Sequence, residues 1–407
     1  MAITNIRAFA HLSDADVEAL AVELDQIRRD VEADRGDRDA RYIRSVIRFQ
    51  RGLEVSARLL LFASRRRGAW WLGAGTLGVA KIVENMEIGH NVMHGQWDWM
   101  NDPEIHSSTW EWDNPDPSAH WKQVHNHIHH KFTNVLGMDD DVGYGVLRVT
   151  RDQPWRRFHL GNPVYNLVLQ LLFEYGVAIQ YLQLHNVNAR RRDQVEFERR
   201  RAAVLSKASK QITKDYVIYP ALTGPAWRTT LTANLLANAI RNVWSNMVIF
   251  CGHFPDGAEK FTRHDLRNET KGQWYLRQML GSANISGGRL MTFMTGNLDH
   301  QIEHHLFPDI PSNRYREVAV RVRALTEKYD LPYTTGPLLV QYGKAWRTIF
   351  KLSVPNKYLK DSADNAPETH SERMFGQIER GAVNSGTGRR RGLRTALREH
   401  RGHLVTR

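Results

Sequence analysis

Cysteine is almost absent from this sequence of 407 residues. The single cysteine, Cys251, excludes a disulfide framework within the chain, and it excludes zinc or iron–sulfur sites built from several thiolates. Any metal that this chain binds must therefore be held by nitrogen and oxygen ligands.

Long apolar runs are also missing, since no uncharged, mainly apolar run reaches the ~18 residues expected of a membrane-spanning helix. The best candidates for membrane helices are Ala69–Val83, Pro163–Leu184 and Thr229–Cys251. Glu174 interrupts the second segment and Arg241 the third, so hydropathy alone does not establish a span. The N-terminus lacks a basic start followed by an apolar stretch, and we expect no cleaved signal peptide and a cytoplasmic start.

Positive charge is in excess, with a formal net charge of +12. Such a balance favours anionic partners, which include nucleic acid, an acidic lipid surface and a coenzyme A thioester. Composition divides the chain into a polar segment over residues 1–50 with an amphipathic helix after Ser13, a main domain over 51–355, and a basic, flexible tail over 356–407. We expect the tail to contact solvent or lipid rather than nucleic acid.

Nineteen histidines are present, and several of them fall into three groups. These groups contain His90 and His94; His125, His129 and His130; and His304 with His305. Residues four apart lie about 40° apart on one helix face, so both imidazoles of such a pair can reach one metal. The residue after the pair points about 100° away, so one short helix can serve two metals.

More histidines are grouped in this way than the four ligands of a structural zinc site require, which predicts two metal centres. Nitrogen ligands without thiolate leave zinc, copper, iron and nickel open. In the third group the local spacing allows either His300 or Gln301 to join His304 and His305.

The three groups resemble the histidine boxes of the membrane-bound fatty acid desaturases, which have the forms HxxxH, Hxx(x)HH and (H/Q)xxHH. Here the boxes read His90–His94, His125–His130 and Gln301–His305, in the family's order. The segments HNHIHHKFTNVLGMDDD and NLDHQIEHHLFPDIPSNRY are also similar to the family's sequence. The resemblance covers residues 70–345 and is closest to bacterial stearoyl-CoA 9-desaturases of the actinobacterial type, particularly in ENMEIGHNVMHGQWDWMNDPEIHSSTWEWD and NVWSNMVIFCGHFPDGAEKF.

This resemblance implies a set of catalytic iron ligands, with one position open between Gln301 and His300. The implied histidine ligands are His90, His94, His125, His129, His130, His253, His304 and His305. The implied fold is all-α, with about four membrane-spanning helices carrying a cytoplasmic helical cap that holds the dimetal site. The implied location is the cell membrane, with the catalytic site on its cytoplasmic side.

The implied activity is the removal of two hydrogens from a saturated acyl-CoA, with palmitoyl- or stearoyl-CoA as substrate, two iron ions as cofactor and dioxygen as co-substrate. Electrons from NADPH must come through a partner reductase of the flavoprotein or ferredoxin type, because the chain has no cytochrome b5-like module and too few cysteines for an iron–sulfur centre. Membrane lipid is an expected partner and nucleic acid is not. The alternatives are a diiron hydroxylase of acyl chains or alkanes, an acyl-lipid desaturase of the front-end or linoleoyl type, and a basic scaffold protein with structural histidines.

Two further patterns concern the surroundings of the boxes. Carboxylates near the boxes are candidates to orient the ligand imidazoles. These are Glu84, Glu87, Asp139, Asp140, Asp141, Asp299 and Glu303. The glycines Gly73, Gly75 and Gly78, with Asp98 beyond them, match a dinucleotide-binding fingerprint. Because no βαβ pattern surrounds these glycines, we predict that they allow close helix packing instead.

Overall fold

The computed structural model describes residues 9, 11–180, 182, 193–255, 257–359, 383, 390, 392 and 394–395. Within these residues the chain is mainly helical, which confirms the predicted helical architecture. The α-helices are α1 (Asp14–Ala33), α2 (Asp37–Phe62), α3 (Arg67–Ile82), α4 (Asn91–Met93), α5 (Ser118–Trp121), α6 (His130–Phe132), α7 (Asn162–Leu171), α8 (Phe173–Gln180), α9 (Asp193–Thr213), α10 (Tyr219–Leu222), α11 (Trp227–His253), α12 (Lys271–Gly281), α13 (Arg289–Met294), α14 (Gln301–Leu306), α15 (Tyr315–Lys328) and α16 (Leu338–Lys351). Two short strands, β1 (Asn284–Ser286) and β2 (Thr335–Pro337), pair in parallel.

Three π-helical segments and several 3-10 turns complete the described chain. The π-helices are Val83–His90, Lys122–His129 and Lys214–Ile218. The 3-10 helices are Asp98–Met100, Gly143–Gly145, Arg157–Gly161, Gly224–Ala226, Leu298–His300, Ser312–Arg314 and Asn356–Tyr358. A π-helical turn accommodates an extra residue, which changes the direction of the side chains that follow it. The first π-helix ends at His90, the first residue of the first box, and the second contains His125 and His129 of the second box, where the spacing had led us to expect ordinary α-helix.

Helix α1 begins as the sequence predicts. The backbone N–H of Asp16 donates to Ser13 Oγ at 3.2 Å, and the N–H of Ser13 donates to Asp16 Oδ2 at 2.8 Å, which closes a capping box. The apolar face of α1, which includes Leu20 and Leu24, is buried in a core shared with α12, α14 and α15. These four helices form a cap beside the third histidine box.

Helices α2, α3 and α11 pack closely along their length. A Cβ atom added to Gly73 would lie 2.8 Å from Leu61 Cδ2, and one added to Gly78 would lie 3.1 Å from Ile240 Cγ2. These glycines therefore let α3 approach α2 on one side and α11 on the other. The predicted role in helix packing is therefore confirmed for Gly73 and Gly78, whereas a Cβ added to Gly75 would meet no described atom within 4 Å.

The candidate membrane segments correspond only in part to single helices. The first lies within α3 except for Val83, which begins the first π-helix, and the third lies within α11. The second is broken at Leu172, between α7 and α8. Residues 181, 183 and 184 of that segment lie outside the described residues. Among the helices that the structure describes, none combines the length and the apolarity needed to cross a bilayer.

The predicted division of the chain into three segments stays a prediction. Helix α2 runs without interruption across residues 50 and 51. Most of the predicted basic tail over residues 356–407 lies outside the part of the chain that the structure describes.

The contact between α1 and α12 provides a test of the packing of the cap. A Cβ added to Gly272 would lie 2.5 Å from the backbone oxygen of Val17, which has no freedom to move aside. We expect Gly272→Ala to lower the free energy of unfolding by about 1–3 kcal/mol, because the two helices must separate. Denaturant titration measures this change.

Gly343 of α16 is the matched control, because a Cβ added there meets no described atom within 4 Å. Gly343→Ala should raise the free energy of unfolding by roughly 0.5–1 kcal/mol through the better helix propensity of alanine. Equal effects of the two substitutions would contradict the tight packing of α1 on α12.

Candidate metal centre

The three histidine boxes converge in the structure, although long stretches of chain separate them. The π-helix Val83–His90 and α4 bring in the first box, the π-helix Lys122–His129 with α6 the second, and α14 the third. The last residue of α11, His253, reaches the same place. All eight predicted histidines are buried or, in the case of His125, half-buried.

Seven of the histidines form two groups, each able to surround one metal ion. In the first group one ring nitrogen from each of four histidines lies within 4.8 Å of the others, and in the second group the same holds for three. The first group is His90, His94, His125 and His304. The second group is His129, His253 and His305. The second box therefore serves both groups, with His125 in the first and His129 in the second. These two histidines also lie together with Asp141 in a third group of possible ligands, so the second box joins the two groups.

His130 lies between the two groups. Its ring centroid is 4.7 Å from that of His94 and 4.8 Å from that of His304, both in the first group. It is 4.5 Å from the ring of His305, in the second group. Neither ring nitrogen of His130 has a hydrogen-bond partner among the described residues, so both remain available to a metal.

The structure places Gln301, and not His300, beside the second group. The side-chain amide nitrogen of Gln301 lies 3.1 Å from His253 Nε2. A half-turn of the side-chain amide would present its oxygen to His253 instead, because the oxygen and nitrogen of an amide occupy equivalent positions. The ring nitrogens of His300 lie 3.9 Å from Asp299 and from Glu303, and His300 belongs to neither group.

The outward nitrogens of five imidazoles are held by neighbouring side chains. In the first group, His90 Nδ1 lies 3.1 Å from Asn91, His125 Nδ1 lies 3.4 Å from Asp141, and His304 Nδ1 lies 3.1 Å from the Tyr315 hydroxyl. In the second group, His129 Nδ1 lies 3.0 Å from Asp139, and His305 Nδ1 lies 3.2 Å from the Thr133 hydroxyl. Such contacts fix the orientation of the ring and select which nitrogen carries the proton. They leave the Nε2 atoms to point inward.

The inward nitrogens make a donor set that fits a metal. The Nε2 atoms of His94, His125, His129 and His304 are buried without a hydrogen-bond partner among the described residues. Buried polar atoms without partners are rare in folded proteins because each costs free energy. Several such atoms that converge are what a pair of metal ions would satisfy, and their chemistry suits iron as well as zinc.

The electrostatics of three histidines in the second and third boxes favour ligation. Burial, and then the neighbouring imidazoles, lower the pKa of His130, His304 and His305 well below the usual range. These rings are therefore neutral, which is the form that binds a metal. Burial also lowers the pKa of His129, but Asp139 and Asp141 outweigh it and raise that pKa to about 9.

The candidate carboxylates Asp139 and Asp141 contact ligand imidazoles as expected. Asp139 and Asp141 follow the second box, and they contact His129 and His125. The carboxylate of Glu87 instead accepts from Tyr42 and Asn297. Glu303 accepts from Asn284 and Tyr333, Asp299 from Thr292, and Glu84 from the backbone of Asp113.

Three of the side chains that contact the outward ring nitrogens were not predicted from the sequence. Asn91 lies inside the first box, so its proximity was a usable signal. Thr133 comes three residues after the second box and contacts the third, and Tyr315 comes from the start of α15. Only the tertiary fold brings these last two to their histidines.

A cavity adjoins the two groups. His90, His125, His129, His253 and Gln301 face it. Its apolar wall is formed by Met86, Trp112, Trp121, Phe173, Val177, Ile249, Phe254 and Leu298. A cavity with such an apolar wall suits an aliphatic chain that lies against the histidine groups.

Comparison with known proteins gives one family and several relatives. The family model described as fatty acid desaturase matches residues 68–337. The chain is 64% identical over 408 residues to the NADPH-dependent stearoyl-CoA 9-desaturase of Mycobacterium tuberculosis (strain ATCC 25618 / H37Rv), across 99% of this chain and 96% of that protein. It is 28% identical over 237 residues to the fatty acid desaturase 2-like protein FADS2B of Mus musculus, across 58% of this chain and 46% of that protein. It is 22% identical over 278 residues to the sn-1 linoleoyl-lipid 6-desaturase of a Synechocystis species, across 65% of this chain and 75% of that protein.

The contact of Asp139 with His129 predicts a specific effect on metal affinity. We expect Asp139→Asn to weaken the binding of Fe²⁺ by roughly 10–100-fold, because the amide holds the imidazole less firmly and makes it less basic. Competition with a chelator under anaerobic conditions measures the affinity.

Asp299→Asn is the matched control, since Asp299 was an equal candidate in the sequence but accepts its hydrogen bonds from threonines. It should leave the affinity within about twofold of the wild type. A loss of affinity in Asp299→Asn alone would contradict the assignment of the outer partners.

Proposed function

The chain belongs to the fatty acid desaturase family, and from this premise we propose that it is a diiron enzyme that introduces the double bond at carbon 9 of stearoyl-CoA. The observation that carries the proposal is the convergence of two groups of buried imidazoles on one apolar cavity. The relative from Mycobacterium tuberculosis, whose printed name states this reaction, is similar to the chain over nearly its whole length. This likeness supports a coenzyme A thioester over an acyl lipid as the substrate.

The proposed ligands of the first iron are His90, His94, His125 and His304. Those of the second are His129, His253, His305 and the side chain of Gln301, with His130 between the two ions. When bound, the two irons supply the dioxygen-dependent oxidation that removes one hydrogen from each of two adjacent methylene groups. Acid–base groups alone cannot perform this reaction on an unactivated chain.

The contribution of the chain is to hold ligands and substrate in position. Asp139, Tyr315 and Thr133 fix imidazole rings from outside, so that the inward nitrogens do not rearrange during the reaction. Trp121 stacks on His125, with ring centroids 4.4 Å apart, and forms part of the apolar wall. This wall excludes water from the place where the oxidation occurs.

The electrons are proposed to come from NADPH through a separate reductase of the flavoprotein or ferredoxin type. The glycine fingerprint lies within α3 and packs against other helices, so it does not supply a nucleotide site. The single cysteine cannot build an iron–sulfur centre. Both observations support an external donor.

We also propose that the protein is embedded in the cell membrane through α2, α3, α7 with α8, and α11, with its catalytic site on the cytoplasmic side. Large apolar side chains are exposed on these helices and their connections. They include Leu59, Phe62, Trp71, Leu72, Val164, Leu167, Val168, Leu171, Leu172, Ile179, Leu222, Trp227 and Leu235. Exposed apolar surface of this extent is costly in water and supports contact with lipid.

The activity is tested with the purified protein, stearoyl-CoA, NADPH, a reductase fraction and dioxygen. We expect oleoyl-CoA, which is lighter than the substrate by two hydrogens, and we expect none when oxygen is removed. Mass spectrometry with location of the double bond measures the product. A product that gains an oxygen atom would identify a hydroxylase, and desaturation of phospholipid but not of the thioester would identify an acyl-lipid desaturase.

Two neighbouring histidines provide the control for this assay. His304→Ala should reduce product to background and lower the iron content, because it removes an inward nitrogen. His300→Ala should retain both, since His300 belongs to neither group. Full activity in iron-free His304→Ala protein would contradict the diiron proposal.

The membrane proposal is tested by fractionating cells that produce the protein. We expect the protein in the membrane fraction, resistant to high salt and alkali and released by detergent, because apolar burial and not charge would hold it there. Release by salt alone would contradict the embedding and would indicate a charged surface contact.

A further inference from the structure

The cavity extends well beyond the histidine groups, along one side of α11. His253, Ile249, Ser245 and Arg241 all face it and follow one another at intervals of four residues. With a rise of 1.5 Å per residue, Arg241 lies about 18 Å along the helix from His253. Helix α8 runs beside the same cavity, with Glu174 about 9 Å along the helix from Gln180. Gln180 donates to Asp141 at 2.6 Å, so this end of α8 lies near the histidines.

The far end of the cavity is formed by an ion pair between Arg241 and Glu174. Their side chains are only 1% and 2% exposed. Arg241 Nε also donates to Asn242 Oδ1 at 3.0 Å, and Arg241 donates to Asn238 Oδ1 at 3.2 Å. The side-chain amide of Asn242 donates to Glu174 Oε1 at 3.3 Å. The charges therefore compensate each other, and the guanidinium is directed at protein partners rather than at the cavity.

A second layer of charged side chains closes the space behind this ion pair. Arg241 donates to the backbone oxygen of Asp113 at 3.3 Å. Lys81, which is 3% exposed, contacts Asp113 and Asp215 at 2.9 Å each. An apolar chain could pass this point only by displacing several buried and paired charges. This end of the cavity is therefore a dead end.

We propose that the Arg241–Glu174 ion pair is the stop for the methyl end of the acyl chain and so determines the chain length that the enzyme accepts. The inference rests on the proposed function and adds to it the residues that select the substrate. The coenzyme A end carries phosphates and is too large and too polar for a buried dead end, so the methyl end must occupy it.

The ion pair is well suited to act as a stop. A chain longer than the available space would have to separate Arg241 from Glu174 and leave each charge buried without its partner, which is strongly unfavourable. An aliphatic wall could yield through a change of rotamer at much lower cost. A chain that is too short leaves part of the cavity unfilled and loses apolar contact.

Two variants test the stop in opposite directions, and the readout is the ratio of products formed from an equimolar mixture of palmitoyl-, stearoyl- and icosanoyl-CoA. The double variant Glu174→Ala with Arg241→Leu removes both charges together and lengthens the cavity. We expect it to raise the icosanoyl-to-stearoyl product ratio at least about tenfold. Glu174→Gln retains the side-chain volume but removes the charge that pairs with Arg241. It should therefore raise the same ratio less than the double variant does.

Ser245→Leu shortens the same cavity one helical turn closer to His253. The hydroxyl of Ser245 is buried without a hydrogen-bond partner among the described residues, so its replacement leaves no partner unsatisfied. We expect this variant to raise the palmitoyl-to-stearoyl ratio about tenfold. This variant tests whether the methyl end of the acyl chain lies towards Arg241, even if the double variant does not fold.

The product ratio does not depend on how much of a variant is folded. In every product the double bond must remain at the carbon where the wild-type enzyme places it. A movement of the double bond would overturn the proposal, because the ion pair would then determine where the acyl chain lies and not which chain length is accepted. Unchanged ratios in the double variant or in Ser245→Leu would also overturn it. If the wild-type protein desaturates no acyl-CoA, the proposed function fails instead, so the two failures are distinguishable.

Discussion

The structure around the cavity depends on how each buried imidazole is hydrogen-bonded. A buried ring nitrogen without a partner costs free energy, so each one must be satisfied by the protein or by a bound metal. Here the outward nitrogens meet Asn91, Asp139, Asp141, Tyr315 and Thr133, while inward nitrogens remain free. Because these partners come from different parts of the chain, the cap, the two π-helices and α11 must all be in place before the inward nitrogens converge. The contacts that join these parts of the fold therefore also position the proposed metal ligands.

The histidine groups were accessible from the sequence because their information is local. Spacing placed His90 and His94 on one face, and the structure assigns both to the same group. Spacing did not decide between His300 and Gln301, since α14 begins at Gln301 and the chain up to His300 is a 3-10 turn that redirects the side chain. It also did not predict the π-helices, one of which contains both His125 and His129.

The sequence was less informative about contacts between distant segments. Nothing near the third box indicates that Thr133 would contact His305 or that Tyr315 would contact His304. The acids near the boxes were too numerous for the sequence to single out those that contact imidazoles. In the structure, the turn after the second box directs Asp139 and Asp141 at imidazoles. Glu174 and Arg241 appeared in the sequence only as interruptions of apolar segments. The structure pairs them at the end of the cavity, where the same two residues acquire a physical role.

The proposed dimetal centre links these features, because the outer hydrogen bonds, the neutral imidazoles and the apolar cavity all serve it. X-ray absorption spectroscopy of the iron-loaded protein, combined with iron and protein quantitation, tests the centre most directly. We expect two irons per chain, a first coordination shell of nitrogen and oxygen, and the outer scattering of several imidazoles around each iron. One iron per chain, or a centre with few imidazoles, would contradict the division of the histidines into two metal sites.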